Sequence, residues 1–110
     1  SKESYPEKYF KILFEKEKIE VNEKVRVGLY ELDFCIKDRK INIEIDGDQH
    51  YLDKKIVKSD ERRTKYLQDN GWDVIRIKWS DYQKRNYKEK ELYIQNLKNI
   101  LVSTFYHNLF

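Results

Sequence analysis

The 110 residues contain one cysteine, Cys35, so no disulfide can form within the chain. A reducing, intracellular setting is the simple expectation. With one Cys and two His, His50 and His107, a Cys/His zinc finger is excluded as well. Gly occurs three times and Pro once, which leaves little material for flexible linkers. No repeat or low-complexity tract is present. No apolar run approaches the roughly 20 residues that span a bilayer, and no secretory signal is visible, so no membrane partner is expected. Charge of one sign is also lacking: 23 Lys and Arg face 20 Asp and Glu, for a net +3. That balance permits nucleic-acid binding without demanding it.

What the chain does have is charge and aromatics. Charged residues make up 39% and apolar residues 39%, with nine Tyr, five Phe and two Trp, enough for the core of one domain. Ser4-Tyr5-Pro6-Glu7 reads as a helix start, with Ser4 as N-cap and Glu7 closing a capping box. The helix is expected to run to about Lys18, with Phe10, Leu13 and Phe14 on one face. Residues 23–27 read as a short strand, with a turn near Gly28. In the next segment Tyr30, Leu32, Phe34 and Ile36 alternate with Glu31, Asp33 and Cys35, predicting a second strand. Residues 37–40 form a polar hairpin turn. Ile41, Ile43 and Ile45 then alternate with Asn42, Glu44 and Asp46 in a third strand. Residues 53–69 are expected to be helical, stopped by Asn70-Gly71. A fourth strand covers 72–79, and a last helix covers about 88–106 with Leu92, Leu97, Ile100 and Leu101 inward. The order α-β-β-β-α-β-α predicts an α/β fold with a small mixed sheet of about four strands and an extra C-terminal helix.

The sharpest chemical feature is acidic. A short hairpin pairs the second and third strands antiparallel, which puts Asp33, Glu44 and Asp46 at neighbouring positions away from the isoleucine phase. Two readings are open: a solvated acidic face, or a site for a hard divalent cation such as Mg²⁺, which takes oxygen ligands and relieves the repulsion among the carboxylates. Asp46-Gly47-Asp48-Gln49-His50 favours the second, since a tight turn carries His50 close to the acids, where acid–base work is possible. His107 has no such context. On the second helix Asp60 and Arg63 share a face with Ile56 and Leu67. They read first as an ion pair along the helix, and alternatively as groups that orient the acids. Lys54, Lys58, Arg62 and Lys65 line the other face, and Lys84 and Arg85 lie among Tyr82 and Tyr87. Each group is either solvated surface or a phosphate-binding patch.

Taken together, Tyr30-Glu31-Leu32-Asp33-Phe34, Ile43-Glu44-Ile45-Asp46-Gly47 with His50, Asp60-Glu61-Arg62-Arg63, Leu67, Gly71-Trp72 and Val74-Ile75-Arg76 resemble the very-short-patch-repair-like endonucleases of the PD-(D/E)XK superfamily, as found in phage homing endonucleases of the EDxHD type. The resemblance covers about residues 6–79. It implies an α-β-β-β-α-β restriction-endonuclease-like core and a metal-dependent endonuclease acting on double-stranded DNA. Mg²⁺ is the expected ion, with Mn²⁺ as a substitute. The implied catalytic set is Glu7, Asp33, Glu44, Asp46 and His50, with Asp33, Glu44 and Asp46 as metal ligands. Read from the residues themselves, Asp60, Arg63 and Arg76 are candidates to support them, and Lys54, Lys58, Arg62, Lys65, Lys84 and Arg85 are candidate DNA contacts. Leu32 stands where the superfamily motif has Pro, and Asp46 where it has Lys. Glu7 carries two readings, a cap and a member of the catalytic group. A chain beginning at Ser1 reads as one catalytic domain, residues 1–110, excised from a longer protein with a DNA-recognition domain elsewhere. The expected setting is the cytoplasm of a bacterium or a phage-infected host. A mismatch-directed nickase and a DNA-binding module without catalysis are the alternatives.

Overall fold

A computed structural model describes residues 3–47 and 53–102. The first helix, α1, spans Tyr5–Lys16 and begins with the capping box expected from sequence. The Ser4 hydroxyl accepts the Glu7 amide, and Glu7 Oε1 accepts the Ser4 amide at 3.1 Å. Three strands follow: β1 (Asn22–Val27), β2 (Tyr30–Ile36) and β3 (Ile41–Asp46). A short 3₁₀ turn, Lys37–Arg39, joins β2 to β3, closed by Lys40 in the left-handed region at φ 51°. Helix α2 (Lys54–Asp69) carries the chain over one sheet face to β4 (Asp73–Lys78). Two helices end the described chain, α3 (Trp79–Gln83) and α4 (Tyr87–Val102).

The sheet order is β1-β2-β3-β4, antiparallel for the first two pairs and parallel for β3 with β4. It is the mixed α/β sheet the pattern predicted. The parallel pair follows from the α2 crossover, because parallel neighbours cannot be joined by a tight hairpin. Each face of the sheet has its own core. Phe10 and Phe14 of α1, Ile94, Leu97 and Leu101 of α4, and Tyr82 pack on Phe34, Ile41, Ile43 and Ile77. Leu67 of α2 packs with Leu32, Cys35 and Trp72 on the opposite face. β3 is therefore covered on both sides.

Four expectations need correction. The final β segment stops at Lys78, and Trp79 opens a helix because its ring stacks into the aromatic group of Tyr5, Tyr9, Phe10 and Tyr82. In α4 the inward residues are Ile94, Leu97 and Leu101. Leu92 and Ile100 are exposed, so the apolar stripe is narrower than the composition suggested. α1 ends at Lys16, two residues short of the expected limit, and Ile19 turns back into the core. The fourth difference is the alternation of β2, which breaks at Asp33. Leu32 belongs to the α2 side and Phe34 to the α1 side, although two residues apart in one strand should share a face. The cause is local. Lys24, which faces Asp33 across the hairpin, has φ 52°, and the regular pairing skips the two between Glu23–Phe34 and Val25–Leu32.

Gly28, at the tip of the β1–β2 hairpin, has φ +59°, and a side chain there would collide with the Tyr66 ring. Both facts call for glycine. The contact ties the hairpin to α2, with Tyr30 and Tyr66 packed at a 5.4 Å ring separation.

Candidate active site

β2 and β3 pair only over Phe34–Ile43, Cys35–Asn42 and Ile36–Ile41. The next two residues, Asp33 and Glu44, stand where the strands part. β2 continues along β1, whereas β3 continues along β4 as far as Asp46–Lys78. The fork between them is the place in the sheet where side chains from two neighbouring strands can converge without a ladder between them.

Asp33 is half-buried in this fork. Burial pushes its carboxyl up to about 7, helped by a hydrogen bond with Glu7, the charge of Glu7 and the charge of Glu44, with the Arg63 charge opposing. A hydrogen bond between two carboxyl groups requires one shared proton, so the group carries more negative potential than its neighbours neutralise. Glu7 thus caps α1 and also meets Asp33. Its Oε1 caps α1, accepting the Ser4 hydroxyl at 2.7 Å, and the same side chain reaches Asp33. Glu3, Glu7, Glu23, Lys24, Asp33 and Phe34 line a small recess at this point.

Glu44 is 8% exposed and is held from two sides. Arg63 of α2 bonds its Oε1 at 2.8 Å, and the Asn42 side-chain amide donates to the same oxygen at 2.8 Å. Asp46, 1% exposed, lies two residues further along β3. It meets Arg76 Nη1 at 3.0 Å, and that guanidinium also reaches Asp60 at 2.6 Å and the Thr64 hydroxyl. Burial works against the Arg76 charge, but the bonds to Asp60 and Asp46 outweigh it and hold the pKa above its ordinary value. Arg76 stays about a third exposed, at 32%.

The structure therefore brings Glu7, Asp33 and Glu44 into electrostatic reach, and sets Asp46 two residues further along β3, against Arg76. Among the described residues, no three Asp, Glu, His or Cys stand close enough to hold one ion. His50 and His107 lie outside the described residues. The ion pair expected between Asp60 and Arg63 does not form. Each turns instead to a sheet residue of opposite charge, Asp60 to Arg76 and Arg63 to Glu44. A part-buried carboxylate gains more from a charged donor than a solvated helix pair does, which is why the pairs across to the sheet prevail. Lys54, Lys58, Arg62 and Lys65 are exposed on α2, Lys65 being engaged with Asp69 at 2.8 Å. Lys84 is exposed, and Arg85 covers the Tyr93 ring. Sequence reasoning missed Asn42. A strand with neighbours on both edges and helices on both faces buries most of its side chains, and Asn42 is fully buried, so it needs a partner.

The raised Asp33 group sets a pH dependence. The native state binds this proton more tightly than the unfolded chain, whose value is near 3.8. Its stabilising contribution is complete below that value and is lost as pH rises to about 7. Metal-free protein should accordingly melt at lower temperature at pH 8 than at pH 5. Asp33→Asn should remove most of that slope and raise the pH 8 melting temperature by about 4 °C, about 1 kcal/mol once solvent screening is allowed for. Thermal melts of both proteins across pH 4–8 measure it; parallel slopes would show that Asp33 is not the titrating group.

The family model REase_MTES_1575, which is restriction-endonuclease-like, matches residues 7–97, the stretch that carries α1, the fork and α4. The chain belongs to this family. Its fold matches the catalytic domain of the homing endonuclease I-Bth0305I with a TM-score of 0.67, covering 92% of this chain and 97% of that one, at 20% identity. A protein of Haemophilus influenzae is 40% identical over 68 residues, 62% of this chain and 41% of its own length. Escherichia coli YcjD is 42% identical over 55 residues, 50% of this chain and 44% of its own. The chain thus spans less than half the length of these two relatives. The PD-(D/E)XK-like nuclease fold implied by the motifs is borne out. Among the described residues no helix is long and apolar enough to cross a membrane.

Proposed function

We propose that this REase_MTES_1575 domain is a divalent-metal-dependent endonuclease that hydrolyses DNA phosphodiester bonds, as the catalytic part of a homing endonuclease. The observation that carries the reading is the strand fork that sets the Asp33 carboxyl, its pKa pushed up to about 7, against Glu7 and Glu44. A carboxyl that must share a proton with its neighbour is primed to exchange it for a cation. The donor set fits Mg²⁺, which keeps several of its waters and is commonly bound through one or two carboxylates and a substrate phosphate rather than by a closed protein cage. Asp33 and Glu44 would hold it, with Glu7 adjacent and Asp46 the next carboxylate of the same strand.

Bound there, the ion would supply Lewis-acid polarisation of the scissile phosphate and a nucleophile at neutral pH. The protein's own groups do the rest. Arg63 fixes the Glu44 carboxylate, and Arg76, part-exposed beside Asp46, offers its guanidinium to charge developing on the phosphate. His50 is assigned proton transfer on the sequence alone, from its spacing after Asp46 and from the resemblance. Lys54, Lys58 and Arg62 form the phosphate-contacting stripe. Such contacts position a protein but carry little sequence information, so target choice is assigned to a further domain of the parent protein.

Plasmid and oligonucleotide duplexes incubated with the domain in Mg²⁺ or Mn²⁺ should be cut, and excess chelator should abolish the reaction. Cleavage that survives chelator, or DNA left intact with either metal, would refute the proposal. A marked preference for mismatched duplex would redirect it to a very-short-patch-type nickase.

A further inference from the structure

Asn42 is fully buried in the central strand β3. Its register neighbours are Cys35 on β2 and Val74 on β4, both belonging to the apolar layer under α2. Its amide nitrogen donates to Glu44 Oε1 at 2.8 Å, whereas its Oδ1 is buried with no partner. An orphaned buried oxygen costs about 1–3 kcal/mol. A leucine of similar volume would carry no such cost, so folding alone gives no reason for an amide at this point.

The gain lies at Glu44. Oε1 receives two donors, Asn42 and Arg63, and the Arg63 nitrogen that reaches it is itself anchored on the Glu31 carbonyl at 3.1 Å. Two donors converging on one oxygen fix the carboxylate plane and leave the second oxygen as the one available to a ligand. That second oxygen, Oε2, is not among the buried atoms left without a partner. Glu44 acts on Asp33 across the fork. We infer that Asn42 is a positioning residue for Glu44, tying down Oε1 so that Oε2 is presented to a divalent ion in the fork. The inference rests on the nuclease reading above and adds to it the group that sets the geometry of one ligand.

Mn²⁺ titration and steady-state DNA cleavage by wild type, Asn42→Leu and Asn42→Val test it. Loss of a hydrogen bond behind a metal ligand commonly weakens affinity about 10–100-fold. Asn42→Leu should therefore bind Mn²⁺ that much more weakly and lose kcat by a similar factor. KM for DNA should hold, and the metal-free melting temperature should hold or rise. A purely structural residue would leave affinity and kcat in place. Wild-type Mn²⁺ affinity and kcat in both folded variants would overturn the inference while leaving the nuclease reading intact. Wild-type protein that binds no Mn²⁺ and cuts no DNA would overturn both. The smaller Asn42→Val serves if leucine overpacks the site, and failure of both variants to fold would show that the amide is structural.

Discussion

Asp33→Asn should lower DNA cleavage by about 10³-fold or more while leaving the domain folded. The size of the effect follows from losing the charged ligand proposed for the fork, since about 4 kcal/mol of transition-state stabilisation corresponds to three powers of ten in rate. The substitution keeps the shape of the side chain, so Phe34 and Leu32, which flank it on opposite faces of the sheet, need not move. Stability should move the other way from activity at high pH, because the variant no longer places a carboxylate against Glu7 and Glu44. Single-turnover cleavage and thermal melts on the same preparation check both halves. A variant that cuts within tenfold of wild type would remove Asp33 from the reacting centre.

Arg76→Met should destabilise the domain by about 3 kcal/mol, a large share of the 5–15 kcal/mol typical of a domain. Asp46 is almost sealed from solvent, and the Arg76 guanidinium is shared between it and Asp60. Methionine keeps the stem that packs under α2 but strips the charge from between two carboxylates. Because breaking a buried pair leaves its partner charged, the cost exceeds what the pair contributes in the intact protein. Urea unfolding of the single variant and of Arg76→Met combined with Asp60→Asn separates the contributions. The double variant should recover part of the loss, because one of the two carboxylates that share Arg76 is gone. A single variant within about 0.5 kcal/mol of wild type would mean that Arg76 serves substrate alone, as surface substitutions usually fall in that range.

The sequence carried most of the architecture, for identifiable reasons. Ser4 and Glu7 announce a capping box because only that spacing satisfies both backbone amides. The isoleucines at 41, 43 and 45 announce β3 because strict alternation has no helical reading. The break in β2 was not legible. Tyr30, Leu32, Phe34 and Ile36 keep perfect alternation on paper, and the fault comes from Lys24, a residue of the neighbouring strand with a left-handed backbone. That break matters for the site, since it accompanies the parting of β2 from β3 and puts Asp33 in a fork rather than in a ladder.

The partners of the charged residues were equally hidden. Asp60 and Arg63 have the spacing of a helix pair, and nothing in their local sequence says that Glu44 and Arg76 will outbid each of them for the other. Pair preferences on a helix are worth a few tenths of a kcal/mol. A part-buried, charge-assisted bond to a sheet carboxylate outweighs that, and only the fold decides which carboxylate is in reach. Asn42 was overlooked because it shares the polar phase of β3 with Glu44 and Asp46, and a polar phase reads as solvent-facing until a helix is known to cover it. The order α-β-β-β-α-β does imply that cover. A central strand between an antiparallel hairpin and a parallel crossover leaves neither face free.

The most direct test is a crystal of the domain soaked in Mn²⁺, with the ion located from its anomalous signal. The account predicts one peak in the fork between β2 and β3, within bonding distance of an Asp33 oxygen and of Glu44 Oε2, with Glu44 Oε1 still bonded to Asn42 and Arg63. A peak bound away from Asp33, or a fork that stays empty while the same preparation cuts DNA, would contradict it.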